Sequence, residues 1–491
     1  MRKSLWSVVV FVLAVLVALG AAARAEEGMW TFDNVPLKEL MKKYHFKPTQ
    51  EWLDHLRLSS VRINDGGSAS FISPDGLLLT NHHVARGQLQ KNSTAEHDYI
   101  KNGFYAATEA DEMKSPDLEI NVLVGMENVT DRVQGAAKGI NNASDALKAR
   151  DAEIAKITRE SKDKTGYRSD VVSFYSGGEY WLYQYKVYTD VRIVFAPEEE
   201  AAFFGGDPDN FTFPRFDTDM AIFRVYENGK PIHSTNYLKW SPKGAAPGEL
   251  VFVSGHPGAT EREDTLAQLM VQRDVITPNV IEYLSRRIDA AQQFAQQGPE
   301  QARLVNTLIF GLQNSLKVYL GRRDALADKA IIEKKTAEEN DFKARIAANP
   351  EWQKEYGDAW DTIAKAEETL RPMVKARIFE RTDSRLMGLA LTLVQYAAEI
   401  KKPDAERLPQ FHDANLEGLK FQLASPAPVS PALEKLYMTT ALNLAVEKLG
   451  KSDEYVAAVL DGDDVPAAVN KLVDGTKMGD PAFRKSLMDG G

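Results

Sequence analysis

Cysteine is absent from the 491 residues. No disulfide, zinc-thiolate site or cysteine nucleophile is therefore available. A basic excess is lacking as well: 60 Lys and Arg face 70 Asp and Glu, for a formal charge of −10. Nucleic-acid binders carry the opposite balance, so no nucleic-acid partner is expected. Long apolar runs are limited to one, at residues 5–23, after the basic Arg2 and Lys3 and before Ala23-Arg24-Ala25. That order reads as a secretory signal peptide over 1–25, cleaved after Ala25. A membrane anchor is the rival reading, since the run is just long enough to span. The small-residue end and the acidic Glu26-Glu27 favour cleavage. The expectation is a bacterial periplasmic or secreted protein with no membrane attachment, held by core size and not by disulfides. With 44% hydrophobic and 26% charged residues the composition is globular, and the length suggests roughly three domains.

What is present falls into two textures that meet near residue 262. Before it, short runs rich in Val, Ile, Phe and Tyr alternate with Gly, Pro, Asp and Asn. These predict strands over 68–73, 77–80, 118–124, 171–175, 180–195, 220–226 and 250–254. Ser73-Pro74-Asp75-Gly76 between two of them predicts a tight hairpin, because Pro fixes φ and Gly permits positive φ. Helical patches are expected over 37–58, broken at Pro48, and over 143–162, the latter as a solvated excursion. After residue 262 the texture is helical, with helices expected over 263–297, 323–347, 351–374, 377–400, 430–449 and 452–460. Leu304, Leu308, Ile309, Leu312, Leu316, Tyr319 and Leu320 recur at the three-and-four spacing of an amphipathic helix. A plain structural bundle would account for this half equally well.

Only eight histidines could serve as bases or ligands. His82 and His83 directly follow the strand at 77–80, in Thr80-Asn81-His82-His83. A histidine at a strand end, backed by a hairpin, is placed for general-base work. Metal binding and a plain polar loop are the alternatives; no carboxylate lies at ligand spacing. The second feature is the loop 205–215, Gly205-Gly206-Asp207-Pro208-Asp209-Asn210-Phe211-Thr212-Phe213-Pro214-Arg215, running into a strand with Asp219 at its mouth. Asp219 suits the role of orienting an imidazole through Nδ1–H. Otherwise it caps the loop, with Asp207, Asp209 and Asp217 as turn formers. The spacing does not fit a calcium loop. The order His83…Asp219 then requires a serine downstream, in a Gly-rich turn that supplies an oxyanion hole. Ser254, in Val253-Ser254-Gly255-His256, follows Asp219 but lacks the preceding glycine, so it is a poor candidate.

Taken together, Gly66-Gly67-Ser68-Ala69-Ser70-Phe71, Ser73–His83, Tyr188-Thr189-Asp190-Val191-Arg192, the 205–215 loop and 252–258 resemble the bacterial dipeptidyl-peptidase 7 and 11 family. The resemblance runs from Met29 onward. These are exported serine exopeptidases of the chymotrypsin clan. The resemblance implies an α+β protein: a chymotrypsin-like double β-barrel with a large α-helical domain inserted in the second barrel. On that basis 26–245 form the first barrel region, 246–262 the opening of the second, and 263–491 the helical domain. The resemblance makes His83 the catalytic base and Asp219 its partner. Asn210 and Phe211 become the holders of the substrate's free α-amino group, joined by Asn314 from the helical half. Two departures stand out: Val84 where the family commonly has Cys, and Phe211 where it often has Trp. An aromatic face still attracts an ammonium, though Trp does so best.

The family's serine, oxyanion hole and S1 residues lie beyond the helical domain. The expectation is thus a C-terminally truncated dipeptidyl aminopeptidase, inactive alone, acting on peptides with a free N-terminus. The alternative is a catalytically inactive periplasmic peptide-binding protein. No cofactor or metal is indicated, P1 specificity is not legible, and a homodimer stays open.

Overall fold

The computed structural model describes residues 28–64, 66–258 and 261–490. The predicted signal peptide at 1–25 lies outside them. Among the described residues strands occur only up to Pro231, and from Leu266 onward the elements are helices. The chain is thus mixed α and β, with one large antiparallel sheet and many helices.

Among the described residues eleven strands make the sheet: β1 (Ser60–Ile63), β2 (Ser68–Phe71), β3 (Leu77–Thr80), β4 (Phe104–Tyr105), β5 (Met113–Lys114), β6 (Ile120–Asn128), β7 (Arg168–Phe174), β8 (Glu179–Tyr188), β9 (Asp190–Ala196), β10 (Ala221–Glu227) and β11 (Lys230–Pro231). Their order is β4-β9-β10-β3-β2-β1-β6-β8-β7, with β5 on β9 and β11 on β10. Alternation turns one face of six strands inward. Val61, Ile63, Ala69, Phe71, Leu78, Ile120, Val122, Val191, Ile193, Phe223 and Val225 form one buried cluster. The 71–77 turn is the predicted hairpin, pairing Ser70 with Leu79 and Phe71 with Leu78. Gly76 sits at φ 72°, and a Cβ there would stand 3.0 Å from the Val225 carbonyl oxygen, so glycine is required.

Several expectations change against the structure. The 180–195 run is two strands, β8 and β9, interrupted at Thr189; β8 pairs with β6 and β7, and β9 with β10, β4 and β5. β1 was not anticipated, because Ser60–Ile63 continues a helical run, Gln50–Ser59, without any turn residue. The 143–162 patch is indeed a helix, Ala143–Thr165, but not a solvated excursion. Its Ile157 packs with Val129, Val133 and Leu182, and Ser161 bonds Ser169 of β7 at 2.8 Å. The run 250–254 pairs with no strand among the described residues, and Val253 is fully exposed at 102%. Alternating apolar residues make a strand only when a neighbour accepts their backbone groups.

In the helical half, Pro299–Ala327 is the longest helix. Its apolar stripe, Leu308, Leu312, Leu316 and Tyr319, packs on Val280, Leu284 and Ile288 of the helix Thr277–Ala295. The predicted 351–374 helix breaks at Gly357, and 377–400 breaks before the cap at Ser384. Helices at Leu416–Leu423, Val465–Asp474 and Pro481–Gly490 were not anticipated. No helix among the described residues is long and apolar enough to cross a membrane.

Candidate active site

The register of β10 on β3 builds the first part of the site. Ala221 lies opposite Thr80 in an antiparallel ladder. Extended by two residues in each direction, that register brings Asp219 beside the start of the helix His82–Asn92. Asp219 then meets three donors. His83 N–H donates to Oδ1 at 3.0 Å, His83 Nδ1 lies 2.6 Å from Oδ2, and Asn81 Nδ2 donates to Oδ2 at 3.1 Å. The carboxylate thus satisfies a first-turn N–H that the helix itself leaves unpaired. Burial pushes the Asp219 carboxyl up, but the hydrogen bonds from the His83 ring and backbone outweigh it. The net position is below the usual carboxylate range.

This geometry assigns the protons. An ionised carboxylate only accepts, so His83 Nδ1 carries a hydrogen, and the tautomer this selects for the neutral ring leaves the lone pair on Nε2. His83 is half exposed, at 51% of its side chain, so the ring is open to solvent. The neighbouring His82 points the other way into the core, with 2% exposure. Burial, aided by the nearby Arg86 charge, lowers its pKa to about 4, so it stays neutral. The pair is therefore helical and not extended, and its two members have unlike surroundings. Among the described residues no group of three or more His, Cys, Asp or Glu side chains is disposed to hold a metal ion. Ser254 is not brought to this histidine; its hydroxyl meets Ser60 Oγ at 2.9 Å.

The second part lies where the 205–215 loop meets the long helix. Gly205 opens it at φ 80°, and any Cβ there would collide with the Asp209 carboxylate at 1.8 Å. Asn210 Nδ2 donates to Asn314 Oδ1 at 3.1 Å. The structure thus joins two predicted residues 104 positions apart. Phe211 is held at φ 62°, in the left-handed region, with its ring 65% exposed. A bulky residue there costs on the order of 1–2 kcal/mol, and such outliers concentrate at functional sites. Arg215 Nη1 donates to Asn210 Oδ1 at 3.2 Å and pairs through Nε with Asp217 at 3.0 Å. Lys317, one turn beyond Asn314, donates to the carbonyls of Asp207 and Asn210, the latter at 3.2 Å.

The two parts are tied together by the long helix. Buried Arg86, on the histidine helix, pairs with Glu199 at 2.5 Å and donates to Asn306. Its guanidinium lies 4.8 Å over the Phe310 ring; Phe310 meets Phe203 edge to face at 4.8 Å; Arg215 lies 4.7 Å over Phe203. Cations and rings thus alternate in one packed row from the histidine helix to Asn210. Arg303, Asn306, Phe310, Asn314 and Lys317 all face the sheet half. Sequence reasoning found only Asn314 among them, together with the apolar stripe. The missed signal was a second three-and-four repeat on the other helix face. Asn81, Arg86 and Arg215 were quoted or passed over without a role.

Comparisons agree with this architecture. The Peptidase S46 family model matches residues 25–491. The dipeptidyl-peptidase 7 of Capnocytophaga gingivalis is 31% identical over 382 residues, which cover 74% of this chain and 53% of that protein. The Asp/Glu-specific dipeptidyl-peptidase of the same organism is 31% identical over 287 residues, 55% of this chain and 40% of that one. The chain spans about half the length of the curated relatives it matches. Among solved structures, Porphyromonas endodontalis DPP11 in complex with the dipeptide Arg-Glu shares the fold with a TM-score of 0.69 at 22% identity, covering 94% of this chain and 71% of that one. The family match runs through the sheet, the 205–215 loop and the long helix alike, and the chain belongs to the Peptidase S46 family.

Proposed function

We propose that this chain carries the base and the N-terminus-binding parts of an exported serine-type dipeptidyl aminopeptidase. His83 takes the proton of a serine hydroxyl as it attacks the scissile carbonyl and returns it to the leaving amine. Asp219 holds the ring and stabilises the imidazolium. Asn210, Asn314 and the Phe211 face receive the free α-ammonium, so cleavage falls a fixed two residues in. The serine is assigned to a part of the protein outside these 491 residues. Two facts support that: the match covers only 53% and 43% of the first two relatives, and Ser254 is engaged with Ser60 and not with His83. The sheet half is read as the first barrel over 26–245. The exposed Val251 and Val253 are read as the start of a second barrel over 246–262, and 263–491 as the helical insertion. Residues 1–25 are read as the export signal.

The observation that carries the reading is the presence of two separate assemblies, His83–Asp219 at 2.6 Å and Asn210–Asn314 at 3.1 Å, bridged by the row Arg86, Phe310, Phe203 and Arg215. Peptide binding measured by calorimetry tests it. A tripeptide with a free amine should bind at least about tenfold tighter than its N-acetyl form, the worth of one charge-assisted contact. Equal affinities reject the amine site. Because that site is assembled without a nucleophile beside it, a second reading fits the same geometry: a periplasmic peptide-binding protein that does not cleave. Turnover of dipeptidyl reporters by a form extended to the relatives' length separates the two.

A further inference from the structure

The Asn210–Asn314 pair poses a question of polarity. An amide side chain has a donor end and an acceptor end of nearly equal shape. An ammonium needs acceptors, so the pair serves it only if both oxygens are presented; a flipped Asn210 would offer an NH₂ group and repel it.

We propose that Arg215 is the positioning residue that sets this polarity, an inference that rests on the amine-site reading above. A guanidinium has five donors and no acceptor. Its Nη1 lies 3.2 Å from Asn210, so the atom facing it must be Oδ1. Nδ2 then faces Asn314 and donates at 3.1 Å, which forces Asn314 to present Oδ1 in turn. One arginine thereby orders two amides across the junction of loop and helix. Each carbonyl oxygen has two lone pairs and uses one in this relay. The second on each remains for the substrate ammonium. Arg215 is itself immobilised by the Asp217 carboxylate at 3.0 Å and by the Phe203 ring at 4.7 Å. Lys317 holds the backbone carbonyls of Asp207 and Asn210, so the loop cannot turn Asn210 away as a whole. The cations do not leave the site repulsive to an ammonium: Asp207, at 3.7 Å from Lys317, and Asp217 answer them one for one.

The test uses the 491-residue chain, with tri-alanine and N-acetyl-tri-alanine as probes in calorimetry at pH 7. Arg215→Met removes the donor and keeps the length. Affinity for the free peptide should fall about tenfold, while that for the acetylated peptide stays within about twofold. Asn210→Asp placed in the Arg215→Met background should restore the preference for the free amine, because a carboxylate is an acceptor whichever way it turns. A variant that loses both affinities equally, or one that keeps the wild-type preference, overturns the inference. So does a double variant without rescue. Equal binding of both peptides by the unaltered chain would instead reject the amine-site reading itself, and the inference with it.

Discussion

The sheet half and the helical half contribute to the site by different physics. In the sheet half the contact is local in the ladder: β3 and β10 pair, and Asp219 arrives at His83 two residues past the last paired position. In the helical half the apolar periodicity faces away from the site. The apolar stripe of the long helix is spent on its neighbour Thr277–Ala295, and the opposite stripe carries Asn306, Phe310, Asn314 and Lys317 to the sheet. The His83–Asp219 pair, proposed as catalytic, is therefore built within one sheet, whereas the Asn210–Asn314 pair, proposed as the amine cradle, needs the two halves docked. Lesions in the first should strike the chemical step, and lesions in the second should strike recognition.

The largest expected effect breaks the first half. Asp219→Asn removes the acceptor that fixes the His83 tautomer, and kcat of the active, extended form should fall about 10⁴-fold with KM nearly unchanged. The same variant should be less stable than wild type at neutral pH. The wild-type carboxyl is held below its ordinary range, so its stabilisation exists above the unfolded pKa and disappears as pH falls through the folded one. Melting curves of both proteins should converge in acid; a constant gap would show that the carboxylate's charge contributes nothing.

Next in size is an acid sensitivity of the sheet half. His82 is buried with its Nε2 unpartnered, and its pKa lies at about 4 against an ordinary 6.5. Between those values the unfolded chain binds a proton that the folded chain refuses. Stability should drop as pH falls from 6.5 to 4, by on the order of 3 kcal/mol from this group. His256, also lowered to about 4 by burial and Arg62, adds to the same slope. Urea unfolding of wild type and His82→Gln at pH 7 and 4.5 checks this: the variant should show the smaller loss.

These contrasts also explain what was legible in the residues. β3, β10 and the hairpin at Gly76 could be read because alternation and Pro-Asp-Gly are local signals, and His83 and Asp219 stand at the ends of those strands. The partition of His82 from His83 could not, since burial decides it and the helix begins at that residue. Ser60–Ile63 was missed because only its partners, β2 and β6, make it a strand. Conversely 250–254 has the pattern and finds no ladder among the described residues. Asn314 was reached only through the family resemblance, whereas Arg86 stands in no motif and Arg215 was quoted only as the end of the 205–215 loop: an arginine in sequence says nothing about the ring or amide it will meet.

Recognition lesions come next. Asn314→Ala leaves Asn210 Nδ2 without its acceptor and deletes one oxygen from the cradle. Free-amine peptides should bind about tenfold more weakly, with KM raised and kcat little changed in the extended form. An equal fall in kcat would mean that the helical half also sets the chemical geometry, and the division of labour between halves would be wrong.

The smallest effect sharpens the comparison from the opposite direction. Phe211 presents its ring to solvent at the cradle, where a larger π face holds a cation more strongly. Phe211→Trp should tighten free-amine peptides by about threefold, within the range of 0.5–1 kcal/mol for an exposed cation–π contact. The backbone cost at φ 62° is shared by both aromatic residues, so stability should not move. The N-acetyl peptide has no cation to offer and should bind as before. If both peptides gained alike, the ring would be acting as plain apolar surface, and ammonium recognition would rest on the two asparagines alone.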